Sequence, residues 1–321
     1  MAKGKIYITR NIPNDIIQPF EDAFEIKMWK ESETPVPRDE LLRQTQDADG
    51  LVCMLSDAID EELLSQSPQL KVVANDAVGF DNIDLKAAND RNVVVTNTPD
   101  VLTDTTADLT FALLMATARR VVEARDYVLD DKWQNWAPFL LAGQDIHHKT
   151  IGIVGMGRIG EAVARRAKGF DMNILYHNRS RKEAAEQELG ATYVSFDELL
   201  RNSDYVVALL PLNKDSEKLF NASAFKQMKS SAIFINVSRG KTVDETALYK
   251  ALKDGDIHAA GLDVFETEPI DSTHPLLELE NVVCLPHIGS ASYETRWEML
   301  KLCLDNIKAV LNGNDALTPV K

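Results

Sequence analysis

Over the first hundred residues, short apolar, β-branched runs (6–9, 50–55, 71–75 and 93–96) alternate with segments of helical spacing such as 14–23 and 60–65. A second series begins at 151–154 and continues through 173–176, 192–194, 205–209, 232–236, 258–264 and 282–285. Helical patterns fall between these runs at 161–167, 181–189, 197–200 and 246–253. Strand and helix in strict alternation predict parallel sheets covered by helices, so the chain reads as two α/β units in succession. Between the two series, 103–128 reads as one long helix, apolar nearly all round through Ala107, Leu109, Phe111, Ala112, Leu113, Leu114 and Met115. Such a helix should be buried between larger bodies and connect them. A last helix over 293–311 carries Met299, Leu300, Leu302, Ile307 and Val310 at helical spacing. It is expected to cross back onto the first unit, making that unit discontinuous.

At the start of the second series, Gly155, Gly157 and Gly160 follow the apolar run 150–154 and precede the helical pattern 161–167. In that strand–turn–helix context, Gly-x-Gly-x-x-Gly is a dinucleotide-binding turn. The first glycine permits the sharp turn, and the second lets backbone approach a pyrophosphate resting on the helix start. The third lets helix and strand pack closely, and Arg158 and Ile159 supply the intervening amides. The expected architecture is therefore two doubly wound parallel-sheet domains, Rossmann-like and flavodoxin-like, with a cleft between them. A discontinuous substrate-binding domain would span 1–99 plus 289–321, and the dinucleotide-binding domain 100–288.

Length and composition narrow the class. A chain of 321 residues, 45% apolar and 26% charged, suits two ordinary globular domains and has no apolar run long enough to cross a bilayer. Its start leads directly into a predicted strand with no apolar signal region, so the cytoplasm is the expected location. Cys53, Cys284 and Cys303 lie far apart in apolar stretches, as reduced core thiols do, and the histidines show no metal-ligand spacing. A formal charge of −15 speaks against a nucleic-acid partner. The same charge repels small anions, so an anionic substrate must be drawn in by local arginine or lysine.

Ligands of open α/β sheets sit beyond the carboxyl ends of the strands. Three ionisable residues meet that criterion: Arg239 after the run 232–238, Glu268 a few residues after 261–265, and His287 at the end of 282–286. An arginine fork holds a carboxylate by two parallel bonds, a histidine exchanges protons near neutral pH, and a carboxylate fixes its tautomer and favours its charged form. Together they suit reduction of a carbonyl substrate bearing a carboxylate. Taken singly, each also fits a bland surface, loop or core role.

Five segments in order, at 78–84 (Val-Gly-Phe-Asp-Asn-Ile-Asp), 151–160, 236–240 (Asn-Val-Ser-Arg-Gly), 261–269 and 285–291, give the chain its resemblance to the D-isomer-specific 2-hydroxyacid dehydrogenases. The resemblance implies that Arg239 grips the substrate carboxylate, His287 is the acid/base and Glu268 pairs with it. It also implies that backbone amides around Val78 and Gly79 bind the carboxylate, with Ser290 beside the substrate. Thr106, Pro211, Val237, Asp263, His287 and Gly289 join the cofactor contacts. Within the family, 173–182 and 133–138 look like the glyoxylate and hydroxypyruvate reductases, in which a tryptophan at the position of Trp136 reaches into the partner subunit's substrate pocket. That implies a homodimer, although Trp136 also fits a core or surface-anchoring role. At 148–150 the chain has His-Lys-Thr where the family often has Gly-Lys-Thr, a change confined to a linker.

An NAD-specific site usually carries an acid about 20 residues past the first glycine. Here that strand ends in Asn178, Arg179, Ser180, Arg181 and Lys182, with no acid. Two guanidinium groups and a hydroxyl suit a 2′-phosphate, so NADP(H) is favoured over NAD(H), unless these basic residues merely begin a solvated helix. The reaction expected is nicotinamide-dependent reduction of a short 2-oxo acid such as glyoxylate or hydroxypyruvate to the D-2-hydroxy acid, with protonated His287 giving the proton. A longer acid such as 2-ketogluconate is the rival substrate. A nicotinamide-sensing corepressor with the same residues is the rival of another class.

Overall fold

The structure, a computed structural model, describes residues 3–320. It divides into two compact units: residues up to Leu102 together with those from Ala291 onward, and Thr103–Ser290. The first holds strands β1 (Gly4–Ile8), β2 (Phe24–Met28), β3 (Gly50–Cys53), β4 (Val72–Asn75) and β5 (Val94–Thr96). They form one parallel sheet in the order β2-β1-β3-β4-β5. The second unit holds β6 (Thr150–Val154), β7 (Asn173–His177), β8 (Thr192–Tyr193), β9 (Tyr205–Ala208), β10 (Ile233–Asn236), β11 (Ala259–Leu262) and β12 (Val282–Cys284). Their order is β12-β11-β10-β9-β6-β7-β8, again all parallel. The succession reverses at β6, the switch point at which doubly wound sheets bind ligands.

Both sheets are buried on their two faces, which is why their strands read as continuous apolar runs. In the second unit Leu113, Ile151, Ile153 and Val163 fill one face and Val206, Phe220, Phe234 and Leu248 the other. In the first unit the helix Tyr293–Leu311 inserts Leu300, Cys303, Leu304 and Ile307 among Ile6, Ile8, Val52, Val72 and Ala74. β2 escaped the sequence pattern because it is an edge strand in which Glu25 and Lys27 interrupt the apolar positions. All three cysteines are free thiols, Cys53 and Cys303 in the core.

The single helix expected over 103–128 is two helices, Thr103–Ala118 and Val121–Leu129. Arg120 takes a left-handed φ of 53° between them, and the Gln144 amide crosses over to bond the Ala118 carbonyl at 2.9 Å. The first helix is buried, but within the second unit's own core, against the helix Arg158–Lys168 and strands β10 and β11. The second helix has no buried residue and leaves Val121, Val122, Val128 and Leu129 exposed.

Candidate active site

β6 delivers the chain to the glycine turn. Gly155 has φ +104°, and a side chain there would come within 2.6 Å of the Leu209 carbonyl oxygen, so the turn also abuts the segment leading to Pro211. A Cβ on Gly160 would strike the Gly155 carbonyl oxygen at 2.3 Å, whereas one on Gly157 would meet nothing within 4 Å. The first and third glycines therefore serve packing within the protein, and the middle one faces open space. Gly157 caps the helix Arg158–Lys168 without a side-chain bond, so the first-turn amides meet no capping side chain.

β7 ends beside this turn, and the Gly155 amide bonds the His177 carbonyl at 3.0 Å. Asn178 is half-buried, its carbonyl accepting from the Tyr193 hydroxyl at 3.2 Å; Arg179 and Ser180 are exposed. Arg181 is committed elsewhere. Its Nε and Nη2 pair with Glu186 at 2.8 and 2.7 Å, and Glu186 also accepts from the Tyr176 hydroxyl at 2.7 Å. These bonds hold the Glu186 carboxyl down at about 2. Of the two arginines proposed for a 2′-phosphate, Arg179 alone has no ion-pair partner among the described residues.

Arg239, Glu268 and His287 leave the carboxyl ends of β10, β11 and β12. The chain after β10 is shaped by Asn236, whose Oδ1 accepts from the Ser238 amide and hydroxyl and whose Nδ2 donates to the Arg239 carbonyl. Gly240 then lies flat on the next loop: a Cβ there would stand 1.8 Å from the Phe265 carbonyl carbon. That contact brings the Arg239 loop against the segment carrying Glu268. Glu268 Oε1 accepts from the Phe265 amide at 2.9 Å, and its Oε2 lies 2.7 Å from His287 Nδ1. Burial opposes ionisation of Glu268, yet the His287 contact, the Phe265 amide and the charge of Arg239 together hold its carboxyl below the usual range. With Nδ1 turned to a carboxylate, Nε2 is the ring nitrogen left for a substrate. His287 itself has a left-handed φ of 54°, sparsely populated for a non-glycine residue.

A second group gathers behind His287. A Cβ on Gly289 would meet Asp263 Oδ2 at 3.3 Å, Thr106 Cγ2 at 3.4 Å and Val237 Cγ1 at 3.5 Å, so four of the proposed cofactor residues are neighbours. Asp263 Oδ1 accepts from the Ile288 amide at 2.8 Å, while Oδ2 is buried with no partner among the described residues. Desolvation raises the Asp263 carboxyl above its ordinary value. A buried acceptor left open this way suits the carboxamide of a nicotinamide ring. The dinucleotide therefore fits the residues present, from the glycine turn to this corner.

Val78 and Gly79 lie in the first unit, just past β4. Ser290 ends the second unit and is half-buried. Trp136 is 79% exposed and Phe139 86%, on the loop following the exposed helix Val121–Leu129. The sequence reading missed Glu245 and His274. Glu245 accepts from the Glu266 amide at 2.7 Å and pairs with His274 Nε2 at 3.3 Å, bracing the Glu268 loop from behind. Glu245 opens a helix and His274 sits in a loop, so neither follows an apolar run that would have marked it.

Two doubly wound sheets, a glycine turn at the switch point, and an arginine, a histidine and an acid at neighbouring strand ends define a nicotinamide-dependent oxidoreductase of 2-hydroxy acids. The NAD binding domain profile of the D-isomer specific 2-hydroxyacid dehydrogenases matches residues 111–289. The chain is 50% identical over 312 residues to a glyoxylate reductase of Korarchaeum cryptofilum, covering 97% of this chain and 94% of that one. It is also 50% identical over 315 residues to a glyoxylate reductase of Pyrococcus horikoshii, with the same two coverages, 97% and 94%. Among solved structures, a protein of Thermus thermophilus superposes with a TM-score of 0.93 at 42% identity, over 99% of this chain and 100% of that one. An NADPH-dependent glyoxylate/hydroxypyruvate reductase of Sinorhizobium meliloti, in complex with NADP and malonate, superposes at 0.87 with 35% identity, over 99% and 97%. The chain belongs to the D-isomer specific 2-hydroxyacid dehydrogenase family and is an NAD(P)-dependent dehydrogenase. Among its described residues no helix is long and apolar enough to cross a membrane, and no His/Cys/Asp/Glu group could hold a metal ion.

Proposed function

We propose that the protein reduces a short 2-oxo acid, glyoxylate or hydroxypyruvate, to the 2-hydroxy acid, in the D form where the product is chiral. The observation that carries this reading is the 2.7 Å contact between Glu268 and His287 beside the Arg239 loop. When bound, the reduced nicotinamide is the source of the hydride delivered to the substrate C2. Arg239 holds the substrate carboxylate through its fork, with the Val78–Gly79 amides as a second carboxylate contact and Ser290 as a further polar neighbour. His287 gives the carbonyl oxygen its proton from Nε2, and Glu268 stabilises the imidazolium from Nδ1. His287→Ala should lower turnover by roughly 100- to 10,000-fold with dinucleotide binding intact; near-normal kcat with glyoxylate would remove His287 from the mechanism.

NADP(H) is the cofactor this reading favours. Arg179 and Ser180 are available to a 2′-phosphate, and Arg181 becomes available by giving up its solvent-screened pairing with Glu186. Arg179→Ala should raise the KM for NADPH about tenfold and leave that for NADH unchanged; equal shifts would count against the assignment.

A homodimer is the assembly this reading favours, supported by the exposed apolar side chains of Val128, Leu129, Trp133, Trp136 and Phe139. Trp136 would be the partner's contribution to the substrate pocket. Trp136→Ala should change the KM for hydroxypyruvate. Val128→Asp with Leu129→Asp should shift sedimentation toward the monomer, and an unchanged sedimentation profile would argue against this interface.

A further inference from the structure

Just past β4, four successive carbonyls are each tied down. The Ala77 oxygen accepts from the Thr98 amide at 2.9 Å, the Val78 oxygen from Asn97 Nδ2 at 2.8 Å, the Gly79 oxygen from Asn75 Nδ2 at 2.7 Å, and the Phe80 oxygen from the Ile83 amide at 3.0 Å. The amides of Val78, Gly79 and Phe80 have no acceptor among the described residues, on a stretch that is half-buried to exposed. In a trans peptide the N–H of one residue points opposite to the preceding C=O. Fixing the Val78 and Gly79 carbonyls therefore fixes where the Gly79 and Phe80 amides point, and each bond received polarises the amide on the far side of its peptide. Successive amides aimed together form an anion-binding concavity.

The two asparagines are themselves held. Asn75 is fully buried, its Oδ1 taking the Cys53 thiol at 3.3 Å and the Asn82 amide group at 3.2 Å. The Asn97 amide donates to the Thr318 carbonyl at 3.3 Å and the Asn97 carbonyl accepts from the Thr318 hydroxyl at 2.6 Å, while Asn306 of the last helix binds the amide and hydroxyl of Thr318 in turn. The Asn75 side chain and the Asn97 backbone are thus anchored outside residues 77–80, so the loop carbonyls are held from fixed points.

We propose that Asn75 and Asn97 are positioning residues for the substrate carboxylate, acting by holding the Val78 and Gly79 carbonyls so that the Gly79 and Phe80 amides face the anion. This rests on the reading that the Val78–Gly79 loop binds that carboxylate. The carboxylate is common to every 2-oxo acid, so the effect is uniform across substrates.

The test is steady-state kinetics of Asn97→Ala and Gly79→Pro with glyoxylate and hydroxypyruvate, together with oxamate inhibition. Gly79→Pro deletes one amide outright and tests the loop; Asn97→Ala leaves every amide in place and tests their aim. Support consists of a KM for both substrates and an oxamate inhibition constant raised roughly tenfold in Asn97→Ala, with kcat within about twofold and the KM for NADPH unchanged. A raised KM in Gly79→Pro alone would overturn the positioning role and leave the loop's role standing. Unchanged constants in Gly79→Pro would overturn both, whereas a fall in kcat at constant KM in Asn97→Ala would overturn the positioning role alone. Asn97→Leu, close in shape, uncharged and without a donor, gives the same comparison should the alanine variant fail to fold.

Discussion

Glu268, partly exposed, and Asp76, buried, are carboxyls that respond to pH in opposite directions. The Glu268 carboxyl is depressed in the folded protein, so the stability it contributes is present above its unfolded value and lost as pH falls through the folded one. Glu268→Gln keeps an acceptor for Phe265 but withdraws the charge facing His287. Turnover should fall about ten- to a hundredfold, with its pH profile displaced to lower pH; an unmoved profile would mean that Glu268 does not act through the imidazole. Asp76 lies just past β4, buried, with Oδ1 unpartnered among the described residues. Desolvation, only partly offset by Arg296 of the last helix, pushes its carboxyl up to about 6, and the buried thiols Cys53 and Cys303 lie near it. An acid raised on folding binds more protons folded than unfolded, so stability should fall as pH rises from about 4 to 6. Asp76→Asn should therefore gain about 2–3 kcal/mol relative to the wild type between pH 4 and pH 7.5, read by denaturant midpoints. The same difference at both pH values would contradict that account. Of these residues Glu268 was legible, because it follows an apolar run in a recognisable motif. Asp76 carries no such mark in the sequence, because burial is a tertiary property.

At the scale of elements, the strands were the most readable feature, since burial on both faces writes them as unbroken apolar runs. β2 was not readable, because Glu25 and Lys27 of this edge strand point away from the core. The helix break at Arg120 was equally hidden: nothing in 103–128 forbids a continuous helix, and a crossing segment at Gly143–Gln144 caps the first half. Gly240 shows how one element positions another. Gly240→Ala should part the Arg239 loop from the Glu268 loop, lowering kcat/KM more than a hundredfold and the thermal midpoint by several degrees. Full activity in that variant would show that the two loops tolerate separation.

At the scale of the whole molecule, the last helix completes the first unit's core from the far end of the chain. Ile307 is fully buried, and a Cβ on Gly50 would approach its Cγ2 within 2.8 Å, so there is no slack around it. Ile307→Ala should cost about 2–5 kcal/mol, and calorimetry should place the loss in the transition of the first unit. A loss under about 1 kcal/mol would mean that the helix contributes little to that core. By itself the sequence determined the two α/β units, the glycine turn, the family and the choice of Arg239, Glu268 and His287 as candidates, because these are written in local runs, spacings and contiguous motifs. Tertiary structure alone decided that His287 meets Glu268, that Arg181 is spent on Glu186, that Glu245 and His274 stand behind the Glu268 loop, and that two asparagines hold the Val78–Gly79 carbonyls. Each of these depends on distance and burial between residues remote in the chain, which no local pattern encodes.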